Sequence, residues 1–271
     1  MRDRTRNLRR HAVGKACSLA EGSLAALGVP RPQALLLLGH MRCGSTLLLH
    51  LLMTNPQVSA QGERNAVYAG SADLARLALS TRLAHPAPLR RLRYVADQVN
   101  HNHATPDAAL LMRRRVRTIF LLRASDAALA SLLELSRVFY EGAWSPARAL
   151  EYYLARVARL QELAGALAPG QAAFLTYETL TAQPAAALES LRVFLGLDQG
   201  FSQEYRVHGF TGERGDPGPR IGSGRVQPAA RAPVVTGADP HQLQRARAAH
   251  RTCSAALARF ALLPADRVSD G

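Results

Sequence analysis

A chain of 271 residues, 48% of them hydrophobic, holds enough apolar material for one sizeable core. Its formal charge of +14 raises a polyanion as partner, yet lysine occurs only at Lys15, arginine supplies the rest, and no aromatic residues interleave with the basic runs as base stacking requires. No nucleic acid is expected, and the charge points to an anionic cofactor or substrate.

The basic N-terminus "MRDRTRNLRRHAVGKACSLAEG" lacks the apolar block of a secretory signal, and no apolar run approaches the ~20 residues that span a bilayer. Cys17, Cys43 and Cys253 are widely spaced and form no CxxC pair, so neither a disulfide framework nor a zinc site is indicated. A cytoplasmic protein without a membrane span or metal is expected.

Taken in chain order, "ALLLLG" (34–39) reads as the first buried strand, followed by a helix from Ser45 to Met53 that Asn55-Pro56 stops. "YVADQVNH" (94–101) is a weaker strand. "RTIFLLR" (117–123) is a strong one, leading into a helix from Ser125 to about Glu141. An amphipathic helix over 147–168 ends at Pro169-Gly170, and "AAFLTYE" (172–178) reads as another strand. Pro184 opens the helix "PAAALESLRVFL", Gly196 closes it, 209–240 is loop-rich, and a capped helix follows from Asp239. Alternating strand and helix predicts a single α/β domain with a mostly parallel sheet flanked by helices. We place the domain at 30–264, with a basic N-terminal extension at 1–29 and a short tail at 265–271. In such a sheet the loops after 39, 101, 123 and 178 converge at the carboxyl ends of the strands.

The first of these loops is "GHMRCGST" (39–46). Its two glycines are spaced as in G-x-x-x-x-G-K-[ST], and it runs from a strand into a helix N-terminus, a favourable seat for an anion. Ser45 stands where the lysine belongs, and the cation lies inside the loop as Arg42. A nucleoside triphosphatase needs that lysine on its phosphates, whereas an arginine suits phosphate or sulfate. On its own the loop is also readable as a plain glycine turn. In "RASDAALAS", Arg123 ends a strand and Ser131 lies eight residues on, inside the next helix, so the pair can hold a second phosphate.

Together the two segments resemble the sulfotransferases that use 3′-phosphoadenosine 5′-phosphosulfate (PAPS), in which G-x-x-R-S-G-[ST]-T holds the 5′-phosphosulfate and R-x7-S the 3′-phosphate. Cys43 departs from the frequent serine. "FLTYETLTAQPAAALESLRVFLGL" (174–197) and "NPQVSAQGE" (55–63) are similar to further family segments, and the four in order cover roughly 34–197. The resemblance implies a P-loop NTPase-like three-layer sandwich and transfer of a sulfuryl group to a hydroxyl, less readily an amine, of a small-molecule, lipid or glycoside acceptor. PAPS is then the co-substrate, and no metal is implied.

Residue by residue, the resemblance gives Arg42 and the loop Cys43, Gly44, Ser45 and Thr46 the phosphosulfate, Arg123 and Ser131 the 3′-phosphate, and Tyr177 the adenine's neighbourhood. The transfer wants fixed cations for developing charge and a base for the acceptor proton. Glu63 matches the glutamate base of the tyrosylprotein and carbohydrate enzymes and is favoured. His101, 22 residues before Arg123, lies close to where small-molecule sulfotransferases place a catalytic histidine and stays open as the alternative. Asp97 and Asn102 are expected to shape the acceptor side, and Tyr68, Phe139, Tyr140 and Trp144 to wall it. The Gly-Asp-Pro stretch in "GERGDPGPRIGSGRV" is similar to a closing loop of bacterial members, with Arg220 or Arg225 within reach of the 3′-phosphate. A P-loop kinase with a degenerate loop and a non-catalytic polyanion binder are the rival readings.

Overall fold

The computed structural model describes residues 2–84, 91–139, 144–213, 216, 218–229, 235 and 237–267. Its strands are β1 (Gln33–Gly39), β2 (Val58–Ala60), β3 (Tyr94–Val99), β4 (Val116–Leu122) and β5 (Ala172–Thr176). They form one sheet in the order β2-β3-β1-β4-β5, with every pairing parallel. The helices are α1 (Arg2–Ala26), α2 (Ser45–Leu52), α3 (Ser71–Ala84), α4 (Ala108–Leu111), α5 (Ser125–Phe139), α6 (Pro146–Gly165), α7 (Tyr177–Ala182), α8 (Pro184–Leu195) and α9 (Pro240–Leu257).

β1 carries leucine at four consecutive positions because both of its faces are covered, as a central parallel strand demands. Leu36 and Leu38 join Val95, Val99, Phe120 and Phe174 in one core with residues of α3, α5, α6 and α9. Leu35 and Leu37 join Ala96, Ile119 and Leu175 in the other, with residues of α2 and α8. Each leucine withdrawn completely from water contributes about 1.5–3 kcal/mol, so the sheet is anchored from both sides. The result is the expected three-layer, parallel α/β arrangement.

Local signals set several boundaries. The Ser145 hydroxyl accepts from Arg148 N at the start of α6, with Pro146 in the first turn. Gly196, at φ 61°, closes α8, and Asp239 with Gln242 forms a capping box on α9. Two expected strands are shorter than their apolar runs suggest. β3 stops at Val99, leaving His101 in a loop, and β5 stops at Thr176, whose hydroxyl caps α7 and draws Tyr177 and Glu178 into that helix. The segment expected as a basic extension contains α1, which packs on α3 where Gly14 meets Ala72 and through a Glu21–Arg82 ion pair of 3.2 Å.

Candidate active site

The 39–46 loop has little freedom in its residue types. A side chain at Gly39 would overlap Cys43 Sγ and come within 2.9 Å of Leu121 O. Gly44 is left-handed at φ 94° and lies against the Tyr177 ring, leaving no room for a Cβ. Arg42 is left-handed as well, at φ 68°, an uncommon conformation for a branched-free but bulky side chain. The turn delivers the chain into α2, whose first amides have no acceptor within the helix.

Two sequence-distant cation sites meet here. Arg42 Nε donates to Ser131 Oγ at 2.9 Å, so the loop touches the R-x7-S helix directly. Its Nη1 donates to Asp216 Oδ1 at 2.8 Å, and Asp216 N donates to Thr46 Oγ1 at 3.0 Å. A carboxylate therefore occupies the Arg42 guanidinium, standing in for an oxyanion there, while the backbone amide of the same residue holds the Thr46 hydroxyl. Arg123 Nη1 donates to Arg42 O at 3.2 Å, and its guanidinium lies 4.6 Å above the Tyr177 ring. Arg123 Nε is buried with no hydrogen-bond partner among the described residues. An anion reaching these groups would satisfy it, so the donor set fits a phosphate-bearing co-substrate.

His40 holds the two segments in register. Arg123 N can only donate, so His40 Nε2 accepts from it at 3.2 Å, and Nδ1 carries the proton that goes to Met41 O at 2.9 Å. Burial pushes this ring down to about 3, which keeps it neutral in that tautomer.

The two candidate bases also meet. Glu63 Oε1 accepts from Asn100 Nδ2 at 3.2 Å, and the same amide donates to Ser45 Oγ at 3.0 Å, linking the carboxylate to the loop. His101 Nε2 lies 3.5 Å from Glu63 Oε1. Burial raises the Glu63 carboxyl to about 7 against the opposing Asn100 hydrogen bond, and burial lowers His101 to about 4 with help from neighbouring His103 and Arg156. Glu63 is thus poised to exchange a proton near neutrality beside a neutral imidazole.

The expected acceptor side is arranged differently. Tyr68 is buried, with its hydroxyl donating to Asp97 Oδ2 at 2.5 Å, so it packs beneath the crevice and does not wall it. Asp97 is fully buried in β3 and also accepts from Arg64 N at 3.2 Å, so it braces the loop that carries Glu63. Asn102 is exposed and reaches Tyr152 O at 3.4 Å. Trp144 packs edge-on to Tyr152, while the Phe139 side chain and Tyr140 lie outside the described residues. Arg220 donates to the carbonyls of Gln227 and Pro228, and Arg225 is exposed. A cavity of about 310 Å³ lies at the opposite end of the strands, lined by Ala34, Val95, Glu21 and Arg115.

Asn100, Tyr152 and Arg156 were not singled out from sequence, whereas Asp216 lies in the Gly-Asp-Pro stretch expected to close over the cofactor. Asn100 follows the last residue of β3, a place where ligands of parallel sheets are found, and that rule alone would have marked it. Tyr152 Oη accepts from Met41 N and donates to Asn100 O, both at 2.7 Å, a bridge from α6 that no local pattern announces.

Comparison with known proteins bears on the fold and the family. The sequence model of the sulfotransferase family matches residues 66–202, just over half of the chain, a span that includes Asn100, His101, Arg123, Ser131 and Tyr177. No curated protein matches. Among solved structures, the sulfotransferase domain of the Synechococcus PCC 7002 olefin synthase is similar, with a TM-score of 0.56 and 16% identity over 82% of this chain and 94% of that one. A sulfotransferase from Alicyclobacillus acidocaldarius aligns with a TM-score of 0.48 and 14% identity over 89% and 100%. At such identities the first of these shows a common fold, and the family match carries the assignment: the chain belongs to the sulfotransferase family.

Proposed function

We propose that this protein moves a sulfuryl group from PAPS to the hydroxyl of a small-molecule, lipid or glycoside acceptor, with Glu63 as the base. The observation that carries this reading is the contact of Arg42 with Ser131 beside Arg123, which joins the loop and the R-x7-S helix into one anion site. PAPS, when bound, supplies the sulfuryl group on a phosphate leaving group.

The chain's own residues account for the remaining requirements. Arg42, Ser45 and Thr46 face the phosphosulfate end, where fixed donors stabilise charge as it develops, and the Asp216 carboxylate yields its place on Arg42 to the incoming anion. Arg123 and Ser131 take the 3′-phosphate, with Tyr177 packed beneath the arginine. Asn100 holds Glu63 against Ser45, so the group that accepts the acceptor's proton is fixed relative to the loop. His101, neutral at its lowered pKa, stands beside Glu63, its Nε2 3.5 Å from the carboxylate.

Calorimetric titration with adenosine 3′,5′-bisphosphate beside 5′-AMP and magnesium-ATP tests this. Charge-assisted bonds to the 3′-phosphate are expected to favour the bisphosphate over 5′-AMP by about 10- to 100-fold, and Arg123→Ala to abolish the preference. A preference for magnesium-ATP would replace the reading with a kinase, and salt-sensitive binding without 3′-phosphate selectivity would replace it with a polyanion binder.

A further inference from the structure

Arg156, on α6, is the largest fully buried side chain in the described residues. Its guanidinium lies where β1 and β3 separate. Pairing between those strands ends at Leu38 and Val99, after which one chain turns into the anion loop and the other into the segment bearing Asn100 and His101. Arg156 fills the gap: Nε donates to Gly39 O at 2.6 Å, Nη1 to His101 O at 3.2 Å and Thr105 Oγ1 at 3.3 Å, and Nη2 to Val99 O. The planar fork reaches all four acceptors at once, which a lysine cannot do.

The charge is as unusual as the geometry. Among the described residues no carboxylate forms an ion pair with Arg156, so a buried cation is held by neutral oxygens alone. The groups around it are Cys43 of the loop, Glu63, Tyr152 and Arg159 of its own helix, His40, and His101, which also faces His103. Arg159 is turned outward to Glu162 at 2.6 Å.

We propose that Arg156 is a positioning residue for sulfuryl transfer: it sets the separation of the β1 and β3 ends and holds a buried positive charge beside Glu63 and His101. This rests on the sulfotransferase reading of the site. That charge is one of those that oppose protonation of both Glu63 and His101.

Arg156→Met and Arg156→Lys, compared in the full-length protein, test both halves. In Arg156→Met the ionisation of Glu63 should move to higher pH, so the limb of kcat against pH shifts upward. Its rate at neutral pH should fall by about tenfold or more, with the acceptor KM changed far less. The His101 ring resonance, assigned by its loss in His101→Asn, should titrate at higher pH than in the native protein. Arg156→Lys keeps the charge and loses the fork, so its limb and His101 midpoint should stay native while kcat falls. A folded Arg156→Met with both midpoints unmoved would overturn the proposal. If that variant does not fold, a displaced limb or His101 midpoint in Arg156→Lys overturns it equally. The His101 titration needs no turnover, so it separates failure of this inference from failure of the cofactor assignment, which the bisphosphate titration of the native protein decides.

Discussion

Glu63 and His101 stand 3.5 Å apart, and pH tells them apart. A base must be unprotonated to act, so with Glu63 in that role kcat rises with pH through a limb near 7 and levels above it. With His101 as base the limb falls near 4, and the rate is flat across neutrality. We expect the limb near neutrality. Glu63→Gln should erase it and lower kcat by about 100- to 10,000-fold while leaving bisphosphate affinity within a few-fold of native. The same residue predicts a stability effect of definite sign. Its folded pKa is raised above the ordinary value of 4.5, so the folded state binds this proton more tightly than the unfolded chain. The stability that proton brings is complete below the unfolded pKa and is lost as pH rises through about 7. Glu63→Gln should therefore raise the melting temperature relative to native more at pH 8 than at pH 5, and an equal difference at both values would refute the assigned burial effect.

Among the elements, the loop between β1 and α2 is the least tolerant of change. Gly44→Ala places a methyl group in a left-handed residue against the Tyr177 ring, and Tyr177 lies under Arg123. Strain of ~1–3 kcal/mol is expected in the melting transition, together with loss of bisphosphate binding, because the substitution displaces both the loop and the arginine's support. A melting shift with intact binding would show that the loop adapts independently of Tyr177. This loop was legible in the sequence because glycine spacing and an internal arginine carry physical requirements that few other turns share. β1, β4 and β5 were legible because strands covered on both faces are apolar throughout. α3 was not, since its buried face includes Asp73, Thr81 and Arg82, and those residues erase the amphipathic pattern. β2 has three residues, too few to show a period. The site divided the same way: Arg42, Ser131, Arg123, Glu63 and His101 announced themselves by motif, whereas Asn100 and Tyr152 matter through partners more than 50 positions away. Tyr68 misled for a related reason, because an aromatic residue in a loop-rich stretch gives no sign that a buried aspartate will claim its hydroxyl.

At the scale of the whole molecule, the candidate site and much of the packing lie at opposite ends of the strands. The anion loop, Arg123, Glu63 and His101 cluster at the carboxyl ends, while α1 and α3 pack near the strand starts, where Ala34 and Val95 line a cavity with Glu21. The Glu21 and Arg82 side chains are 3% and 1% exposed, so each charge depends on the other. Removing one partner of such a pair typically costs about 3–5 kcal/mol, because the survivor is left buried and uncompensated. Glu21→Ala should therefore lower the melting temperature by roughly 5–15 °C. Replacing both residues by methionine restores apolar packing without a stranded charge, so Glu21→Met with Arg82→Met should recover most of that loss. Below the transition, kcat and bisphosphate affinity should match native values in both variants, since neither residue contacts the loop or the bases. If kcat falls in step with stability at a temperature where each variant is fully folded, the two ends of the sheet are mechanically coupled and α1 belongs to the working of the site. If only the melting temperature moves, α1 serves to close the sheet's far end and takes no part in the candidate site at the carboxyl ends of the strands.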